Sequence, residues 1–149
     1  MIENNNFYKI NTANNQEIFS HLQLCNNEFI PKLNTRVDLV EYSNKIHQYS
    51  IKFEAWNKKR LIGLIALYFN NDEFSGYITN VSVCKDYMGK GIASKLLVMC
   101  LNYAKSNKYN YIELEVNHQN IPAINFYIKN YFSQKERTKD SYIMKLILK

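Results

Sequence analysis

A chain of 149 residues is long enough for one domain with a substantial core and too short for two. Hydrophobic residues make up 46% and charged residues 21%, an ordinary globular balance, so we expect a single domain over residues 1–149. The net charge of +6 favours anionic partners, but the basic residues are spread along the chain and no RNP-type motif occurs, which argues against a nucleic-acid module.

The three cysteines, Cys25, Cys84 and Cys100, are odd in number and far apart, with no C-x-x-C pair. They read as small core hydrophobes; neither a disulfide framework nor a zinc site is expected, and no metal. The longest apolar run, 61–69, contains a glycine and falls far short of the ~20 residues a membrane span needs. No leader segment is read at the polar, Asn-rich beginning, which suggests a loose terminus. A cytoplasmic location fits best.

In chain order, residues 7–10 read as a first strand. Residues 14–27 read as a helix with Ile18, Leu22 and Cys25 on one face. Pro31 breaks the chain, and Asp38 caps a second helix with Leu39, Val40, Tyr42 and Ile46 as its apolar positions. Strands follow at 49–56 and 60–69. The first sets Ile51 and Phe53 against Ser50, Lys52 and Glu54, which read as its solvated side; the second is apolar throughout, so buried on both faces. A turn-rich connection over 70–76 follows.

The stretch from Tyr77 to Ala104 organises the rest. Ile78, Val81 and Val83 mark a strand, Lys85–Tyr87 a polar turn, and Ile92, Leu96, Met99, Cys100 and Tyr103 a helix. Gly89 and Gly91 stand between strand and helix. There the free backbone N–H groups and the positive end of the helix dipole make an anion site, with Lys85, Lys90 and Lys95 adding charge. A phosphate-bearing ligand, a pyrophosphate, is expected. Residues 111–116 read as a strand parallel to the organising one, joined by a right-handed crossover. A helix opening at Ile121-Pro122-Ala123 carries Ala123, Phe126, Tyr127 and Tyr131 on one face, and 141–148 is a closing strand.

Two motifs carry a resemblance. Met88-Gly89-Lys90-Gly91-Ile92-Ala93 is similar to the Arg/Gln-x-x-Gly-x-Gly/Ala pyrophosphate loop of the GNAT superfamily of acetyl-CoA-dependent N-acetyltransferases, with Met88 in place of Arg or Gln. Asn120, then Ala123-Ile124-Asn125-Phe126-Tyr127 and Tyr131-Phe132, resembles the later Ala-x-x-Phe-Tyr-x-x-x-Gly-Phe segment. Tyr131 replaces its glycine, so the turn there must be built differently.

The resemblance covers the chain from about Ile51 onward. It implies a GNAT fold: an α/β (α+β) domain with a central, mixed, mostly antiparallel sheet of six to seven strands. About four helices flank the sheet, which contains a splayed parallel pair. It implies acetyl transfer from acetyl-CoA, as co-substrate, to a primary amine by direct attack. The implied cofactor contacts are Val81, Ser82, Val83, Met88, Gly89, Lys90, Gly91, Ile92, Ala93, Ser94, Asn120 and Tyr127, with a helix cap as the competing role of Asn120. Tyr127 is implied as the catalytic acid.

The base is open among Glu54, Glu113, Glu115, His118 and a water; Asn80, polar inside an apolar strand, could bind a water or the acceptor. Partners expected are coenzyme A and a small-molecule amine, with no nucleic acid and no membrane, and a homodimer is left open. A protein amine as acceptor, and an acyl-CoA binder without turnover, are the alternatives. A dinucleotide-binding fold is disfavoured, since Ser94 stands where its third glycine belongs. The acceptor site is expected in residues 12–48, with Phe29, Pro31, Arg36, Tyr42 and Phe69 as candidate lining.

Overall fold

The computed structural model describes residues 5–148. The first four residues of the Asn-rich beginning lie outside it. The elements are β1 (Asn6–Ile10), α1 (Asn15–Cys25), α2 (Leu39–Tyr49), β2 (Ser50–Asn57), β3 (Arg60–Asn70), β4 (Ser75–Val83), α3 (Ile92–Ser106), β5 (Tyr111–Asn117), α4 (Ile121–Lys129), β6 (Ser133–Arg137) and β7 (Ser141–Ile147). The strands form one seven-stranded sheet in the order β1-β2-β3-β4-β5-β7-β6. Only β4 and β5 run parallel, as a strand–helix–strand unit requires.

Local chemistry sets the ends of the helices. Asn14 and Glu17 make a reciprocal capping box at α1, and the Asp38 carboxylate accepts the Glu41 N–H at the start of α2. The central strand β3 is buried along most of its length and divides two cores. Ile62, Ile65 and Leu67 pack with α3 on one face. Leu61, Leu64 and Ala66 pack with Ile18, Leu22 and Ile46 of α1 and α2 on the other. Gly63 lets α3 sit close on β3: a Cβ there would lie 2.9 Å from the Ile92 Cγ2. The start of α3 is thereby pinned against the sheet.

Three expectations are corrected. The polar face of β2 is not solvated. Glu54 is fully buried and accepts from the Thr12 N–H and Ala13 N–H at 2.9 Å, the Thr12 hydroxyl, and the Trp56 indole N–H at 3.0 Å. Lys52 beside it is also buried, and its ammonium donates to the carbonyls of Ser50 and His47. Burial pulls the Lys52 pKa down while the Glu54 carboxylate pulls it up. The segment that covers this face, with Thr12 and Ala13 at its start, has no signal in the pattern of β2 itself.

Second, β6 was not foreseen. Its residues, Ser-Gln-Lys-Glu-Arg, are all exposed, so no apolar alternation marks it; it pairs only with β7 and forms a charged sheet edge. Third, Tyr131 does not share the α4 face. The helix ends at Lys129, and Tyr131 lies beyond it with φ 72°, 85% exposed. Nor is the turn built differently from one made by glycine: the tyrosine itself takes the left-handed backbone that glycine favours.

Candidate active site

β4 and β5 pair only over Gly76↔Ile112 to Ile78↔Leu114 and then part. A bulge helps open the gap: between Ala66 and Leu67 the β3–β4 register shifts and leaves Thr79 without a partner on β3. The Tyr42 hydroxyl of α2 donates to the carbonyl of Thr79 at 2.7 Å and so ties α2 to the bulge. Burial pushes the Tyr42 phenol pKa up, so it stays protonated and able to donate.

A cleft of about 590 Å³ fills the wedge between the parted strands. Of the expected cofactor contacts, Val81, Ser82, Val83, Met88, Gly89, Gly91, Ile92, Ala93, Ser94, Asn120 and Tyr127 all line it, and Lys90 does not. Lys85 and Lys95 do not line it either; the Lys95 ammonium lies 5.5 Å over the Tyr8 ring. The single cationic side chain along the cleft, among the described residues, is Arg36.

After β4 a short turn, Lys85–Tyr87, leads into the loop that opens α3. Gly89 and Gly91 both have positive φ, 74° and 79°, and Gly91 is the N-cap residue of α3 with no side-chain cap bond. A Cβ added at either glycine would meet no protein atom within 4 Å. The loop thus has open space beside its glycines and no side-chain cap on the N–H groups at the positive end of a fifteen-residue helix. That is room and polarity for a phosphate group.

On the other side of the cleft, Asn120 caps α4, accepting the Ala123 N–H at 3.3 Å, while lining the cavity. Tyr127 is buried, and its ring meets Phe126 and Phe132 edge-on. Burial raises its phenol pKa strongly, so the hydroxyl keeps its proton. Its position is set by the end of α4. The N–H of Phe132 donates to the Tyr127 carbonyl and the N–H of Tyr131 to that of Ile128, each at 3.0 Å, which is a Schellman closure.

A second cleft of about 640 Å³ meets the first, sharing Ile30, Arg36, Ile78, Thr79, Glu115 and Asn117. Of the candidate acceptor-lining residues, Pro31, Arg36 and Tyr42 line this second cleft, Phe29 lines the first, and Phe69 lines neither, packing on Phe74 and Tyr109. Two carboxylates, Glu115 and Asp140, stand along the second cleft. Of the other candidate bases, Glu54 is the buried clamp described above. Glu113 pairs with Lys135 at 2.7 Å, and the His118 ring donates to the Ser141 carbonyl and lies on Tyr142. Asp140 and the bulged Thr79 were not singled out in the sequence; neither position carries a pattern that marks it.

A family model described as "Acetyltransferase (GNAT) family" matches residues 15–131. The chain belongs to the GNAT acetyltransferase family. It is 38% identical over 61 residues to streptothricin acetyltransferase A of Bacillus subtilis, a match covering 40% of this chain and 35% of that protein. It is 29% identical over 116 residues to N-alpha-acetyltransferase 30 of Schizosaccharomyces pombe, covering 71% of this chain and 77% of that protein. Its fold is that of the PaiA N-acetyltransferase of Thermoplasma acidophilum, solved in complex with coenzyme A. The TM-score is 0.74 at 15% identity, over 95% of this chain and 99% of that one. Among the described residues no helix is long and apolar enough to cross a membrane.

Proposed function

We propose that this GNAT chain is an acyltransferase that moves the acetyl group of acetyl-CoA to the primary amine of a small molecule. The observation that carries the reading is the meeting of two clefts where β4 and β5 part, one edged by backbone N–H groups at Gly89–Ala93 and the other by carboxylates. Acetyl-CoA, bound as co-substrate, supplies the acetyl thioester.

The loop from Gly89 to Ala93 holds the diphosphate by main-chain donors. The β5-facing edge of β4 beyond Ile78 is free to pair with the amide-bearing arm. Asn120 stands at the far wall of the same cleft. Glu115 and Asp140 draw a protonated amine into the second cleft, and Glu115, at the junction of the two, takes its proton directly or through a water. Holding the freed amine against the thioester supplies much of the rate. The Tyr127 hydroxyl, kept protonated by burial, gives its proton to the leaving sulfur.

A protein or peptide N-terminus is the second reading, favoured by the likeness to N-alpha-acetyltransferase 30 of Schizosaccharomyces pombe. A panel of small amines and of peptides with free N-termini, followed by thiol release from acetyl-CoA, separates the two. Turnover of amines and not of peptides is expected, and Tyr127→Phe should lower kcat by ~10²-fold or more with little change in coenzyme A affinity. Turnover of peptides alone would overturn the small-molecule acceptor. An unchanged kcat in Tyr127→Phe would remove the acid assignment.

A further inference from the structure

Arg36 has no part in the proton transfers that carry acetyl transfer. Yet among the described residues it is the one cationic side chain along either cleft. It follows a short turn, Leu33–Thr35, where its backbone N–H donates to the Leu33 carbonyl at 3.0 Å. Its guanidinium stands 6.0 Å from the centre of the Phe29 ring, a cation–π contact that holds the head group without neutralising it. Three carboxylates share the clefts with it: Glu28 in the first, Asp140 in the second, and Glu115 in both. Among the described residues none of them forms an ion pair with it.

Arg36 and Glu115 both line the junction where the two clefts meet. The Tyr77 phenol lies near both charges: burial raises its pKa most, the Glu115 carboxylate raises it further, and the Arg36 guanidinium lowers it. The Tyr42 phenol, raised by burial, is drawn down by the same guanidinium, and its oxygen lies 2.7 Å from the Thr79 carbonyl. The guanidinium therefore stands at the Thr79 end of the cleft. From Thr79 to the end of β4 at Val83 the strand runs ~13 Å, at ~3.3 Å per residue, and the glycine loop lies beyond it. Arg36 is at the acceptor's end of the cleft and not at the diphosphate's.

A plain amine suits this place poorly, because Glu115 attracts its ammonium while Arg36 repels it. An acceptor with a carboxylate beside its amine answers both charges. The carboxylate takes two N–H donors of the guanidinium, whose fork matches it, and the ammonium lies on Glu115. Both side chains stand at the junction, so the acceptor's own two charges must be close together, as they are on one α-carbon.

We propose that the acceptor is an α-amino acid, its carboxylate held by Arg36 and its ammonium set on Glu115. This rests on the acetyl-transfer reading above. One ammonium proton goes to Glu115 before attack. The nitrogen then forms the C–N bond as the C–S bond breaks. The second proton it sheds returns through water to the Tyr127 oxygen, which has given its own to sulfur. The products are the N-acetylamino acid and coenzyme A, with one proton released. The product keeps its carboxylate but has lost the positive charge, so the hold of Glu115 lapses.

The test follows thiol release from acetyl-CoA with the standard L-amino acids, each beside its carboxamide, and with short peptides carrying free N-termini. A carboxamide keeps the size of the acid and loses its charge. Its amine is also less basic and more often deprotonated at neutral pH, so a preference for the acid reports recognition of the carboxylate and not amine reactivity. We expect at least one amino acid to exceed its carboxamide in kcat/KM by ~10-fold or more. Arg36→Gln should erase that preference and raise kcat/KM for the carboxamide, a gain that misfolding does not give. Carboxamides preferred over the acids, or a preference unchanged in Arg36→Gln, would overturn the proposal and leave acetyl transfer to small amines standing. Turnover of peptides alone would overturn both. Coenzyme A binding weakened ~10-fold in Arg36→Gln would assign the guanidinium to the cofactor and overturn the proposal as well.

Discussion

The ring of Phe132 stands edge-on to that of Tyr127, centroids 5.8 Å apart, across a helix end closed by Tyr131 in the left-handed region. This is the apolar contact that accompanies a Schellman closure. It ties the proposed acid to the backbone turn that follows it. The side chain of Tyr131 contributes little: it is 85% exposed, so only its backbone conformation serves the site.

Tyr131→Gly should therefore stabilise the protein. The left-handed backbone costs a side-chain-bearing residue ~1–2 kcal/mol, and the extra freedom of glycine in the unfolded chain returns part of that. A net gain of about 0.5–1 kcal/mol is expected, read as a raised urea midpoint with unchanged slope. Tyr131→Ala, which keeps the strain, should gain nothing. Coenzyme A affinity should not change in either.

Glu54 separates a structural carboxylate from a catalytic one. Its four donors come from Thr12, Ala13 and Trp56. Glu54→Ala leaves several buried donors unpaired at ~1–3 kcal/mol each, so a loss of about 3 kcal/mol or more is expected. Denaturant unfolding measures it. The kcat of folded Glu54→Gln should stay within a few-fold of the parent, because Glu54 lines neither cleft.

Stability should fall in alkali through the tyrosines. Burial is the first cause that pushes Tyr68 and Tyr109 each up to about 12, and it raises Tyr42 as well. A folded pKa above the unfolded value of ~10 gives stability that is fully present below about pH 10. That stability drains away as the pH climbs from there through about 12. The urea midpoint should be flat on the neutral side and drop above about pH 10, with tyrosinate absorbance lagging behind that of a free tyrosine until the chain unfolds. Tyrosinate absorbance that rises in the folded protein as it does for the free amino acid would contradict this.

Much of the fold was legible because its signals are local. Asp38 before an apolar helix, the unbroken apolar run of β3, and Gly89–Gly91 between strand and helix each state their role in a few residues. What escaped depends on what comes to lie opposite. Glu54 looks solvated until Thr12 and Ala13 cover it, and β6 has no buried face to announce it. The contact of Lys95 with the Tyr8 ring joins two elements that no spacing in the sequence connects. The second cleft takes Pro31 and Tyr42 from one part of the chain and Asp140 from another, which no spacing rule connects.

A crystal structure with acetyl-CoA bound tests the central claim most directly. We expect the diphosphate within hydrogen-bond reach of the backbone N–H groups from Gly89 to Ala93, and the sulfur about 3–4 Å from the Tyr127 hydroxyl where β4 and β5 part. A diphosphate bound away from that loop, or a Tyr127 hydroxyl turned from the sulfur, would contradict it.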